Sequence, residues 1–240
     1  MGIKVRANTT IGGAIGIDDL FRDGYLSVFI GTGVWRPKKL NIKGETLGHV
    51  RFAIDYLACP EACPVSDLRV IVIGGGNSAM DVARTAIHRG AKSVTVFLRH
   101  NRAAASEHEI DYAIADGVQF EYGKRAKEIT DEGVIFVDVT YDEQDHSSDV
   151  QGSDWLYTAD VVIVSVSQGP KDKIVSTTNG IAVNDKGLIC VDDCGHTTRE
   201  GIFASGDVVL GAKTVVEAVN DSKRVAEAMD EYMQKLPKSY

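Results

Sequence analysis

The chain has 240 residues, 44% of them hydrophobic and 25% charged, and a formal net charge of -8. That is enough apolar material for one large globular domain or two smaller ones, and too much for disorder. The acidic balance excludes a general nucleic-acid binder, because neutralising phosphates needs a basic surface, so any anion site must be local. The longest apolar runs are far too short to cross a bilayer, and the start lacks the regions of a signal peptide. A cytoplasmic protein without membrane association is expected.

In chain order, short Val- and Ile-rich runs at 27–30, 69–73, 93–98, 134–139, 161–166 and 202–204 predict strands. Amphipathic stretches at 79–89, 107–116 and 214–234 predict helices. The alternation predicts an α/β fold built on a parallel sheet. Residues 126–141 and the polar stretch after them predict antiparallel strands with turns, an inserted β-meander. Residues 55–67, with Pro60 and Pro64, predict an interdomain hinge, and a second boundary is expected near 177–187. Cys59 and Cys63, like Cys190 and Cys194, have three residues between them, where redox dithiols and most zinc knuckles have two. Reduced structural thiols and no metal are expected.

Residues 69–73 form a buried-strand pattern that runs into Gly74-Gly-Gly-Asn-Ser-Ala79 and then a helical stretch. This is G-x-G-x-x-A in the context a dinucleotide site requires. Gly74 permits the tight turn, Gly76 lets the backbone approach a pyrophosphate, and Ala79 lets helix and strand pack closely. Gly75, Asn77 and Ser78 complete the turn, and the helix start offers N–H groups and a positive dipole end to the anion. About 25 residues after Gly74, where an NAD site carries Asp or Glu for the ribose hydroxyls, the chain reads Arg99-His-Asn-Arg102. Guanidinium groups pair with a 2′-phosphate where a carboxylate would repel it, so NADPH is favoured over NADH. A solvated loop would carry the same charges. Arg84, Arg89 and Lys92 are read instead as complements of a helix C-terminus.

Gly74-Gly-Gly-Asn-Ser-Ala-Met-Asp81, then Ala83-Arg-Thr-Ala86 and Leu98-Arg-His100, resemble the NADPH domain of the glutamate synthase small subunit and its relatives, among them the flavin and NADPH portion of dihydropyrimidine dehydrogenase. The resemblance runs almost end to end, through Val28-Phe-Ile-Gly-Thr-Gly33 and Thr198-Arg-Glu-Gly-Ile-Phe-Ala-Ser-Gly-Asp207 to Thr214-Val-Val-Glu-Ala218. It implies a Rossmann-like NADPH domain, parallel sheet plus meander, at 63–189. This would be inserted in a partial FAD domain made of 1–62 and 190–240. It also implies that Asp207, beside Gly206, bonds the ribitol or phosphate region of FAD. The helix from Thr214 and Val215 would point its N–H groups at the flavin, and Gly31, Thr32 and Gly33 would pass close to it. Arg99, His100 and Arg102, with Ser167 and Gln168, complete the implied cofactor-binding set. Read without the resemblance, Gly-Thr-Gly and Gly-Asp are equally compatible with plain turns.

The family's first FAD glycine turn has no counterpart, since the glycines of Gly12-Gly-Ala-Ile-Gly16 are wrongly spaced and no buried strand precedes them. The sequence therefore reads as beginning partway through the FAD domain, with FAD held weakly. Ser167 and Ser222 stand where the family has glycine. The implied activity is hydride transfer from NADPH to flavin, with electrons passed to a partner subunit or domain carrying iron-sulfur or flavin. A homodimer is left open. The cofactors carry this chemistry, so no catalytic side chain is assigned. The alternative is a non-catalytic NADPH-binding or assembly module that docks a separate flavoprotein. A free-standing dehydrogenase is disfavoured, because there is no Tyr-x-x-x-Lys pair.

Overall fold

The computed structural model describes residues 2–237 apart from 143 and 145. In chain order it contains α1 (Ile17–Arg22), β1 (Val28–Ile30), β2 (Val50–Phe52), α2 (Ala53–Ala58), β3 (Arg69–Ile73), α3 (Asn77–His88), β4 (Ser93–Phe97), α4 (Glu107–Ala115) and β5 (Gln119–Glu121). There follow β6 (Lys124–Thr130), β7 (Gly133–Tyr141), β8 (Ser147–Asp149), β9 (Trp155–Thr158), β10 (Val161–Val164), α5 (Lys173–Ser176), β11 (Ile202–Ala204), α6 (Asp207–Leu210) and α7 (Val215–Lys235). Internal contacts divide the chain into two units, residues 37–167 and residues 1–36 with 168–240.

Unit 37–167 is built on a parallel sheet of order β2-β10-β3-β4-β5. A parallel sheet is covered on both faces, which is why β3, β4 and β10 are apolar almost without interruption. Side chains alternate across it with period two. Val70, Val72, Val94, Val96, Val161 and Ile163 enter one core with Ala79, Val82, Ala83 and Ala86 of α3. The small side chains of that helix face let α3 lie close to the strands. Ile71, Ile73, Phe97, Val162 and Val164 enter a second core with Ile129, Val134 and Phe136 of the meander. There the rings of Phe97 and Phe136 stack with centroids 3.9 Å apart. Thr95 is buried within β4, and its hydroxyl is hydrogen-bonded to the Tyr157 hydroxyl at 2.9 Å. The meander itself runs antiparallel in the order β9-β7-β6, with β8 also on β7.

The predicted elements agree with these to within a few residues at their ends; β2, α2 and the short α1, β5, α5 and α6 carry too little periodicity to be read from sequence. Residues 55–67 are core rather than hinge. Tyr56, Cys63 and Val65 are buried on the helix side of the sheet, and Pro60 opens a single 3₁₀ turn. Residues 177–187 lie inside the other unit, where Thr178 and Ile181 are buried. The contacts divide the chain at 36/37 and 167/168, whereas the prolines and polar residues point to 55–67 and 177–187 and the resemblance implies 62/63 and 189/190. Proline and glycine punctuate turns inside a domain as readily as between domains.

In the other unit β1 and β11 pair in parallel, Val28 opposite Ile202 and Ile30 opposite Ala204. Their core joins Ile17, Ile30, Ile181, Ile189, Ile202 and Val208. Thr214 caps α7: its Oγ1 accepts the Glu217 N–H at 3.2 Å, and the Glu217 carboxylate accepts the Thr214 N–H at 3.0 Å. Such reciprocal caps contribute about 1 kcal/mol. No described helix is long and apolar enough to cross a membrane.

Candidate functional site

Within unit 37–167 the chain leaves β3 for α3 and builds outward through β4 to β5, while β10 returns on the other side of β3. The carboxyl end of β3 is therefore a point where strand order reverses, the place at which open α/β sheets bind ligands. Gly74 to Ala79 occupy it. Gly74 has φ +137°, and a Cβ there would lie 2.1 Å from the Ser165 carbonyl oxygen. Its N–H donates to the Phe97 carbonyl at 3.0 Å, so the turn threads between the ends of β4 and β10. Gly76, the N-cap of α3, has φ -89°, and a Cβ on it would meet nothing within 4 Å. Its carbonyl accepts from Ala79 and Met80, while Asn77 and Ser78, at the first helical positions, have no intrahelical acceptor for their N–H groups. Ala79 is fully buried, as close packing of α3 requires.

The segment after β4 closes over this turn. Gly75 accepts the N–H groups of Ala104 and Ala105 at 2.8 and 2.9 Å, and a Cβ on it would strike Leu98 Cδ2 at 2.4 Å. The Asn77 side-chain oxygen accepts the Ser106 N–H at 2.9 Å. Gly75 and Asn77 thus bind the loop that carries the basic residues to the turn. Nothing in the glycine pattern signals this, because the partners are about 30 residues away.

Arg99, His100 and Arg102 are exposed on that loop. Arg99 Nη2 lies 3.3 Å from His100 Nε2, and among the described residues no carboxylate pairs with Arg99 or Arg102. Arg84 and Arg89 are placed otherwise: Arg84 Nε donates to Asp116 at 2.8 Å, and Arg89 pairs with Glu61. Specific carboxylates, rather than the helix dipole alone, hold these two. Asp81, in α3, has its carboxyl pushed above the ordinary range by desolvation and by Glu109.

In the other unit Gly31, Thr32, Gly33, Gln168, Gly206, Asp207, Thr214 and Val215 all line one cavity of about 700 Å³. Gly33 has φ +67° and Gly206 φ +72°, left-handed conformations that bring bare backbone to the wall. The Asp207 carboxylate accepts the Lys213 N–H at 3.2 Å and so fixes the chain entering α7. Glu217, in the first turn of α7, has its carboxyl held below the usual range by the Thr214 N–H and hydroxyl. Phe29, Trp35 and Ser205, which are not among the implied cofactor-binding residues, line the same cavity, as does Ser222, which stands where the family has glycine. The two serine hydroxyls are 2.7 Å apart. Phe29 had a signal, since it alternates with the buried Ile30 along β1; Trp35 had none.

Ser167, the last residue of unit 37–167, has φ +82°, and its carbonyl accepts the Lys38 N–H at 3.1 Å. All four cysteines are free. Asp192, Cys194 and His196 bring donor atoms within 4.8 Å of one another. The Asp192 carboxylate accepts the N–H groups of Cys194 and His196, both at 2.9 Å, and lies 3.0 Å from His196 Nδ1. These bonds close a tight loop.

The chain is 34% identical over 255 residues to the NADP(+)-dependent formate dehydrogenase subunit beta of Moorella thermoacetica, covering 98% of this chain and 35% of that one. It is 30% identical to the NADPH glutamate synthase small chain of Halomonas elongata, covering 97% of this chain and 55% of the relative. The chain thus spans between about a third and about half the length of these relatives. Its fold is that of Mycobacterium tuberculosis FprA, solved in complex with NADPH, at a TM-score of 0.74 and 17% identity, covering 97% of this chain and 70% of that one. Residues 3–222 match the family described as pyridine nucleotide-disulphide oxidoreductase. The match takes in both units, and the chain belongs to that family.

Proposed function

We propose that this chain is the NADPH-binding portion of an FAD-dependent oxidoreductase, with NADPH on unit 37–167 and part of the FAD site on the other unit. The observation that carries the reading is the open side of Gly76 at the start of α3, with two arginines and no carboxylate on the loop after β4. NADPH would set its pyrophosphate against the Asn77 and Ser78 N–H groups, where the helix dipole favours an anion. Arg99, His100 and Arg102 would face the 2′-phosphate. The relatives named for NADP and NADPH support this choice of nucleotide.

The cavity of the other unit suits part of FAD. The N-terminus of α7 supplies N–H groups, Gly33 and Gly206 allow close backbone approach, and Phe29 and Trp35 offer flat apolar surface. Its lining holds no G-x-G-x-x-G turn, so FAD bound through it alone is expected to be held weakly. When bound, the two cofactors would supply the chemistry, hydride transfer from nicotinamide to flavin with electrons passed on to an iron-sulfur or flavin partner. The side chains bind, orient and exclude water; none acts as nucleophile or base.

Titration with NADPH and NADH, repeated for Arg99→Ala, tests the nucleotide assignment. NADPH is expected to bind tighter, and the preference to fall in the variant. Equal affinities in the unaltered chain would overturn it. With FAD and an artificial electron acceptor added, NADPH should be oxidised. Binding without oxidation would leave the chain as an assembly module.

A further inference from the structure

The loop that carries Arg99 and His100 is held by a residue far from it in sequence. Tyr141, the last residue of β7, donates its hydroxyl hydrogen bond to the Arg99 carbonyl at 3.0 Å across 42 positions. Its ring stacks on the His100 imidazole, with centroids 5.3 Å apart and planes 24° apart. The backbone adds to this clamp. Gly123 donates its N–H to the His100 carbonyl at 3.4 Å and accepts the Val139 N–H at 2.8 Å, two positions before Tyr141 on the same strand. Lys124 donates to the Leu98 carbonyl at 2.8 Å. The side of Tyr141 is in turn fixed by the ladder to β8, where it faces Ser147.

We infer that Tyr141 is a specificity-determining positioning residue. By holding the Arg99 carbonyl and the His100 ring, it aims the cationic segment at the 2′-phosphate of the nucleotide and so sets the preference for NADPH over NADH. The inference rests on the NADPH reading above. An exposed arginine loses several rotatable bonds' worth of freedom when it grips a phosphate. A loop already held in position loses less, and the saving is realised only for a ligand that carries the phosphate. NADH, which lacks that group, should be indifferent to the clamp. This also assigns the meander a part in nucleotide choice, because its longest strand ends at the discriminating loop.

The test measures Kd for NADPH and NADH in the full chain and in Tyr141→Phe, Tyr141→Ala, Arg99→Ala and Arg99→Ala/Tyr141→Ala, with thermal unfolding as the check on folding. Tyr141→Phe, which keeps the stack and loses one hydrogen bond, should weaken NADPH about threefold to tenfold. Tyr141→Ala should weaken it further, with NADH unchanged within about twofold in both. In the double variant the two losses should be less than additive, since Tyr141 acts in part through the position Arg99 occupies. If Arg99→Ala lowers the NADPH preference while both Tyr141 variants retain it, the inference fails and the nucleotide reading stands. If Tyr141→Ala weakens NADPH and NADH equally, its role is structural and the inference fails likewise. If neither Arg99→Ala nor Tyr141→Ala alters the preference, or none exists, the NADPH reading itself falls.

Discussion

Gly74 and Gly76 are two positions apart in one turn, yet one is crowded and the other open, and substituting each with alanine should separate fold from the proposed binding. At Gly76 the backbone is already extended, with φ -89° and ψ 176°, and a methyl group meets no atom within 4 Å. Alanine is a poorer N-cap than glycine by about 1 kcal/mol. It recovers roughly 0.4–1 kcal/mol by restricting the unfolded chain. The two nearly cancel, so Gly76→Ala should unfold in urea within about 0.5 kcal/mol of the parent. The same methyl fills the space through which phosphate would reach the Asn77 and Ser78 N–H groups. Losing one charge-assisted bond there, worth about 1.5–3 kcal/mol, weakens NADPH roughly tenfold to a hundredfold by calorimetric titration. At Gly74 a Cβ would sit 2.1 Å from a backbone oxygen at φ +137°, so strain and overlap together cost about 3 kcal/mol or more, and stability falls first. A Gly76→Ala protein that binds NADPH as tightly as the parent would refute the placement of the pyrophosphate at this turn.

Two further substitutions probe the frame. Asp160 accepts the Arg69 N–H and guanidinium at 2.7–2.9 Å, which lowers its pKa from 3.8 to about 2. That difference amounts to about 2.5 kcal/mol in full, but this half-exposed pair is screened, leaving about 1 kcal/mol. Because the folded pKa is the lower one, the contribution is present above about pH 4 and lost as pH falls through about 2. Asp160→Asn should therefore cost about 1 kcal/mol at pH 7 and roughly half as much at pH 3; equal losses in urea at both would count against the ion pair. Ser167→Gly should stabilise by about 0.5 kcal/mol, since relief of a left-handed serine gives about 1–2 kcal/mol and glycine returns 0.4–1 through the unfolded state. A destabilised Ser167→Gly would show that the φ of +82° carries no strain.

Much of the frame was legible because its physics is local. β3 and β10 are largely valine and isoleucine, β4 alternates valine with Thr95 and Phe97, and α3 carries alanines at 79, 83 and 86 on one face, so period and composition reveal these elements. The division of the chain was not. Pro60 and Pro64 look like a linker, but what decides is that β2 pairs in parallel with β10, more than a hundred residues away. That pairing draws residues 50–65 onto the sheet and buries Tyr56 and Val65. A turn residue says that the chain bends there, while only a distant strand says which side of the bend it packs on.

The sites divide along the same line. Each chemical part that lies in consecutive residues was readable, from the glycine turn and the basic loop to Gly206-Asp207 and the capped start of α7. What orients the glycine turn and the basic loop comes from afar: Ser106 on Asn77, Ala104 and Ala105 on Gly75, and Tyr141 on Arg99. These are single hydrogen bonds to backbone, each worth about 1 kcal/mol, and they leave no periodicity in sequence. They nevertheless decide how much order a nucleotide must impose when it binds. A site whose donors are already held gains affinity without new contacts. On the proposed reading, the residues legible in sequence would name the ligand, and those drawn in from afar would set how tightly and how selectively it is held.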